Sequence, residues 1–159
     1  MTHPLPHANG PVTGQVAVPG SKSETNRALV LAALGDGAST LTGVLRSRDS
    51  DLMLAALAAL GVGVESLGEG SFVITPPAAF SPAPDGIDCG LAGTVMRFIP
   101  GVAARTNATV VVDGDEQSYA RPMGPVIDGL VQAGAHITAD GQDPVTRLPL
   151  TVHGNGAVD

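Results

Sequence analysis

The stretch Gly20-Ser21-Lys22-Ser23-Glu24-Thr25-Asn26-Arg27 runs directly into the good helix formers Ala28 to Leu34 and stops at Gly35. This predicts a helix whose N-terminus lies within Ser21 to Glu24. Upstream, Gln15 to Val18 alternates polar and apolar residues and ends on Pro19-Gly20, which reads as a short strand and a turn. Lys22 and Arg27 thus stand at or near the positive end of a helix dipole. Each costs a few tenths of a kcal/mol there unless an anion joins them, so with the free backbone N–H groups they form a candidate phosphate site. Ser23 and Arg27, four residues apart, share a face and converge on the same ligand. Lys22 is the only lysine in the chain.

Working outward, Ser39 to Thr42 reads as a strand, and Asp49-Ser50-Asp51 as the cap and acidic first turn of a second helix. Met53, Leu54, Leu57 and Leu60 form that helix's apolar face, and Gly61 ends it. Val62 to Glu65 and Phe72 to Thr75 read as a hairpin. After the proline-rich segment Pro76 to Pro84 the same order returns, with Gly93-Thr94 opening a helix and Thr109 to Val112 forming a strand.

The return is an internal repeat. Arg27 pairs with Arg97 (97 − 27 = 70) and Ala38 with Ala108 (108 − 38 = 70), while Leu57-x-x-x-Gly61 recurs as Leu130-x-x-x-Gly134 (134 − 61 = 73). A three-residue insertion between the copies accounts for the shift. Two units of helix, strand, helix, strand, strand therefore make an α/β arrangement built by duplication. Two copies fall short of a linear solenoid and suit a compact pseudo-symmetric domain lacking a third copy.

The second copy repeats the chemistry as well. In Asp88-Cys89-Gly90-Leu91-Ala92-Gly93-Thr94-Val95-Met96-Arg97, Gly93 lets a ligand approach the backbone and Thr94 caps the helix or bonds an oxyanion. Arg97 is read as structural, held in an ion pair. A third polar segment, Gly114 to Pro122, presents Arg121 before a proline, which stiffens its backbone. A Walker A loop is excluded because Ser21 separates Gly20 from Lys22. His136 and His153, with no acidic or cysteine partners, are read as structural.

Composition bounds the rest. The chain has 159 residues, 43% of them hydrophobic, with formal net charge −7, enough for one core and unlike a nucleic-acid surface. Its single cysteine, Cys89, forms no internal disulfide and suits a cytoplasmic setting. The first ten residues lack the pattern of a signal peptide, and no apolar run is long enough to span a membrane.

Together, Pro19-Gly20-Ser21-Lys22-Ser23 with Asn26-Arg27-Ala28-Leu29, then Ala92-Gly93-Thr94 with Met96-Arg97, then Arg121-Pro122, resemble the EPSP synthases of the enolpyruvyl transferase family. The similarity runs from about Val16 to Val152. In that family two domains, each of three repeated βαβαββ units, close over the substrates. The resemblance implies that residues 1–19 form a flexible N-terminus and a first strand belonging to the other domain. Residues 20–159 are then a partial N-terminal domain, with units at about 20–80 and 86–153.

By the same resemblance Lys22 is the catalytic lysine touching both substrates, and Lys22, Ser23 and Arg27 hold shikimate 3-phosphate. Lys22, Gly93, Thr94 and Arg121 hold phosphoenolpyruvate. Leu91 stands where many members have Asn, and Phe98 where many have Pro, so both bear on the phosphoenolpyruvate pocket and on the family inhibitor glyphosate. The reaction implied joins a shikimate hydroxyl to protonated phosphoenolpyruvate and then eliminates phosphate. It uses neither metal nor organic cofactor and involves neither nucleic acid nor membrane, and the full-length enzyme is expected to be a monomer. The third unit and second domain, with the acid/base carboxylates, are absent from this sequence, so the chain alone is expected to be inactive. Two alternatives stand beside this reading. The enzyme acting on UDP-N-acetylglucosamine carries a reactive cysteine five residues before the loop arginine, where Glu116 stands here, and Lys-Asn where this chain has Lys22-Ser23. The other is a non-catalytic anion-binding domain of the same fold.

Overall fold

Among the described residues, four α-helices and seven strands follow one another in the order α1 (Lys22–Ala33), β1 (Ser39–Leu41), α2 (Arg48–Ala59), β2 (Gly63–Gly68), β3 (Ser71–Thr75), β4 (Ile87–Asp88), α3 (Val95–Ala103), β5 (Thr109–Asp113), α4 (Gly124–Gln132), β6 (His136–Thr138) and β7 (Leu150–His153), with a short 3-10 helix at Glu116–Ala120. They are seen in a computed structural model that describes residues 7–156. The first six residues of the expected 1–19 segment, and the last three of the chain, lie outside the described residues.

The duplication is written in the sheets. The first is ordered β1-β3-β2 and the second β4-β5-β7-β6, so β1, β3 and β2 occupy the places of β5, β7 and β6. In both, the last strand pairs antiparallel with its two neighbours: Ser39 opposes Ile74 and Val64 opposes Ile74 from the other side, as Val110 and Ile137 both oppose Val152. The two Leu-x-x-x-Gly segments end α2 and α4 in the same way. Gly61 and Gly134 take φ of +89° and +95°, a left-handed turn that only glycine enters without strain.

β4 has no counterpart in the first sheet. The offset of 70 places Ala17 and Val18 opposite Ile87 and Asp88, yet no strand forms at Gln15 to Val18. The expectation of a strand there is corrected: Val12, Val16 and Val18 are 84%, 84% and 79% exposed, and an alternating tetrapeptide without a paired neighbour gains neither ladder hydrogen bonds nor burial.

The start of α2 is also corrected. Ser47, two residues before the expected cap, is the N-cap, and it exchanges side-chain and backbone hydrogen bonds with Ser50 in a capping box. Asp49 is thereby left free to point elsewhere. One core joins the two units, with Leu29, Met53, Leu57, Leu60 and Ile74 from the first and Met96, Ile99, Val110 and Leu150 from the second all fully buried. α2 packs on α1 and α3 and touches both sheets. This seating brings the N-termini of α1 and α3 together. Among the described residues no helix is long and apolar enough to cross a membrane.

Candidate functional site

α1 begins with Ser21 as N-cap, its hydroxyl accepting from the Glu24 amide, which fixes Lys22 and Ser23 in the first turn. α3 begins at Val95, after a turn in which Gly90 N–H donates to Asp88 Oδ1 and Ala92 N–H to the Cys89 carbonyl. The two helix starts are tied directly: Asn26, fully buried, donates through Nδ2 to Thr94 Oγ1 at 2.6 Å. Thr94 makes no cap hydrogen bond, so its hydroxyl serves the junction between the units and the mouth of the site.

An open cavity of about 570 Å³ lies over this junction, lined by Lys22, Arg27, Asp49, Leu91, Gly93, Thr94, Arg97, Phe98 and Arg121. Four cations face one carboxylate there, in a chain whose formal net charge is −7. Of the residues expected from the sequence, Lys22, Arg27, Gly93, Thr94 and Arg121 come together in this wall. Ser23 is exposed and does not line the cavity.

Each cation is held differently. Lys22 Nζ pairs with Asp49 Oδ2 at 2.8 Å, which offsets the cost of a cation at the positive end of the helix dipole. Arg27 donates to the Ser23 carbonyl at 3.2 Å and lies over the Phe98 ring, 5.9 Å from its centroid, a cation–π contact. Arg121 donates to the Leu91 carbonyl at 2.8 Å. Arg97 donates to the Gly93 carbonyl at 2.9 Å and the Pro122 carbonyl at 3.0 Å. It is held through carbonyls rather than the expected ion pair, clips the glycine turn to the loop bearing Arg121, and also lines the cavity.

Gly93 suits this crowding: a β-carbon there would stand 3.1 Å from Arg97 Nη1 and 3.3 Å from Arg121 Nη1, so a larger residue would push both guanidiniums slightly out of place. Cys89 lies buried behind the turn, where burial, then Asp88 and Asp113, push its thiol up to about 12; such a thiol is no nucleophile. On the far sheet His136 and His153 stack at 4.5 Å, and His153 Nε2 meets Thr138 Oγ1 at 2.8 Å. Neither lines the cavity. Among the described residues no group of three or more His, Cys, Asp or Glu is placed to hold a metal.

The sequence reading missed Asp49 as a cavity residue, because its place in a helical first turn is sufficient reason for an acid there. It also missed Asn26 as the junction, although the residue stood within the quoted motif.

Two α/β units of matching strand order, with a pocket rich in cations where two helix N-termini meet, define a duplicated α/β repeat fold. The EPSP synthase family model (3-phosphoshikimate 1-carboxyvinyltransferase) matches residues 6–158, and the chain belongs to that family. A 3-phosphoshikimate 1-carboxyvinyltransferase of Bifidobacterium longum is 53% identical over 152 residues, covering 94% of this chain and 34% of the relative. Two structures of EPSP synthase from Acinetobacter baumannii, one of them at 2.37 Å, superpose with TM-scores of 0.74 and 0.73 at 27% and 28% identity. Each match covers 89% of this chain and 32% of the solved one. The chain thus spans about a third of the length of these relatives.

Proposed function

We propose that the chain supplies the N-terminal part of an enolpyruvyl transferase that moves the enolpyruvyl group of phosphoenolpyruvate onto shikimate 3-phosphate, in aromatic amino-acid biosynthesis. The observation that carries this reading is the cluster of Lys22, Arg27, Arg97 and Arg121 around one cavity of an acidic chain. Both substrates are phosphorylated carboxylates. Their charge, and the charge that develops as phosphate leaves, is what such a preorganised set of donors stabilises.

In this reading Lys22 is the catalytic lysine and bridges the substrates, Ser23 and Arg27 take shikimate 3-phosphate, and Gly93, Thr94 and Arg121 take phosphoenolpyruvate. Leu91 and Phe98 shape the side on which glyphosate would compete. Residues 20–80 and 86–153 are two of three units of one domain, and the segment up to residue 19 belongs to the other. A cytoplasmic setting fits the single free thiol, and the family resemblance supports a monomeric full-length enzyme. The reading acting on UDP-N-acetylglucosamine is disfavoured because Glu116 stands at the reactive cysteine's position and Cys89 is buried and inert.

The test is anion binding by the chain itself. Phosphate should stabilise it relative to chloride at matched ionic strength, by about 2.7 kcal/mol at a hundred-fold excess over Kd. Lys22→Met and Arg27→Gln should lose most of that gain while keeping baseline stability. Equal responses of wild type and Lys22→Met would remove Lys22 from the site. The 159-residue chain alone should release no phosphate from phosphoenolpyruvate and shikimate 3-phosphate; turnover would overturn the expectation that essential groups lie elsewhere.

A further inference from the structure

Arg48, the first residue of α2, reaches out of the first unit and grips Asp115 of the second with both arms of its guanidinium, Nη1 to Oδ2 at 2.8 Å and Nη2 to Oδ1 at 3.0 Å. The same guanidinium lies against Gly90, where a β-carbon would stand 3.0 Å from Nη2. One side chain therefore touches both segments that carry the second unit's share of the cavity, the turn at 90–93 and the loop at 114–121.

From Asp115 the wiring to Arg121 is short and continuous. Asp115 N–H donates to the Gly90 carbonyl at 3.2 Å, Ser118 N–H to the Asp115 carbonyl at 2.7 Å, and Arg121 N–H to the Ser118 carbonyl at 2.9 Å. Between them runs a single 3-10 helix, Glu116–Ala120, with Asp115 and Arg121 at its two ends. This segment is the longer of the two strand-to-helix links: residues 42–47 join β1 to α2, whereas residues 114–123 join β5 to α4. The repeat's insertion falls in it, so the first unit offers no template for its conformation.

We propose that Arg48 is a positioning residue for Arg121, acting through Asp115 to set where the Arg121 guanidinium meets the anion. This rests on the anion-site reading above. Arg48 does not line the cavity itself. Its side chain is 59% exposed and that of Asp115 30%, so the pair adds little to stability. What a two-armed guanidinium–carboxylate fork supplies is orientation, which a lysine's point charge does not.

The experiment measures inorganic phosphate binding by titration calorimetry, with a thermal melt of each variant in chloride. Arg48→Gln should bind phosphate about three- to five-fold more weakly, the reach of an exposed ion pair, with an unchanged melt. Arg48→Lys, which keeps the charge, should still fall short of wild type. In an Arg121→Gln background, Arg48→Gln should cause no further loss, because its effect travels through Arg121.

Wild-type affinity in Arg48→Lys would make Arg48 a mere charge and overturn the inference. So would additive losses with Arg121→Gln, or an Arg48→Gln chain that melts well below wild type in chloride. If Lys22→Met loses phosphate binding and Arg48→Gln does not, the positioning role alone falls. If wild type and Lys22→Met bind alike, the anion site falls and the inference with it.

Discussion

Lys22 in the first turn of α1 and Asp49 in the first turn of α2 form an ion pair of 2.8 Å across the mouth of the cavity. The pair joins two helix N-termini of the same unit. Asp49 sits where a carboxylate favours its own helix dipole, and it offsets a lysine that sits where its helix dipole does not favour it. Lys22 remains 49% exposed, so an entering anion meets its ammonium without first unburying it.

Asp49 therefore competes with any anion for the same nitrogen. Asp49→Asn should tighten inorganic phosphate binding by up to about five-fold, equivalent to the ~1 kcal/mol of an exposed ion pair. The chain should lose only a few tenths of a kcal/mol from the α2 dipole. Calorimetry alongside a thermal melt checks both. Phosphate binding that weakens in Asp49→Asn would show instead that the carboxylate orients Lys22 for its ligand.

The hydrogen bond from Asn26 to Thr94 is a polar stitch between the units, and Asn26 is fully buried. Thr94→Val removes the acceptor while keeping the shape, leaving a buried amide unpaired at a cost of about 1–3 kcal/mol. Thr94→Ser keeps the hydroxyl and should cost less. Denaturant unfolding of the two variants decides the matter, since equal stabilities would mean that the amide finds another partner.

Cys89 should behave as a buried hydrophobe. With its thiol pushed up to about 12 by burial and by the Asp88 and Asp113 carboxylates, almost no thiolate exists near neutrality. Iodoacetamide at pH 8 should therefore modify the folded chain far more slowly than the chain in denaturant. Equal rates would show that the turn at Gly90 opens freely.

Asp115 gives a pH-dependent reading of the inter-unit grip. Its hydrogen bond from Arg48 holds its carboxyl below the usual aspartate range. A carboxylate depressed in the folded state contributes fully above its unfolded pKa and loses that contribution as pH falls through the folded one. Amide exchange in residues 114–121 should accelerate on acidification through that window, corrected for intrinsic rates. In Asp115→Asn the same amides should be fast already at neutral pH; a loop equally protected in both would break the link between grip and loop.

Where the pattern is local, the sequence was a sufficient guide. The apolar face Met53, Leu54, Leu57 and Leu60 is buried as the helical period requires, and the hairpin of β2 and β3 closes as the alternation requires. The offset of 70 reappears as matching strand order in two sheets. What escaped was set by distance. β4 is two residues long, too short for any period to show. Gln15 to Val18 has the pattern of a strand without a neighbour to pair with. Lys22 with Asp49, Arg48 with Asp115 and Asn26 with Thr94 meet only because α2 is seated between α1 and α3, and no spacing along the chain announces such meetings.

The last expectation concerns the helix face left open. Val30, Leu34, Phe98, Gly101, Val102 and Leu130, rimmed by Arg97 and Arg105, line a second cavity of about 420 Å³ between α1, α3 and α4. Leu31 on α1 and Val131 on α4 are 71% and 50% exposed besides. On the proposed reading of this chain as a partial domain, a third unit would cover this groove. The isolated chain should bind a hydrophobic dye under native conditions and associate as its concentration rises. Leu34→Glu puts a charge on the wall of that groove at a residue already 44% exposed, so it should reduce dye binding and association while changing the melt by no more than about 0.5 kcal/mol, as is usual for surface positions. Sedimentation of both chains across a concentration series tests this. A wild-type chain that stays monomeric, binds no dye and melts cooperatively would show that these helices are content with water, and the reading of this chain as a partial domain would lose its physical support.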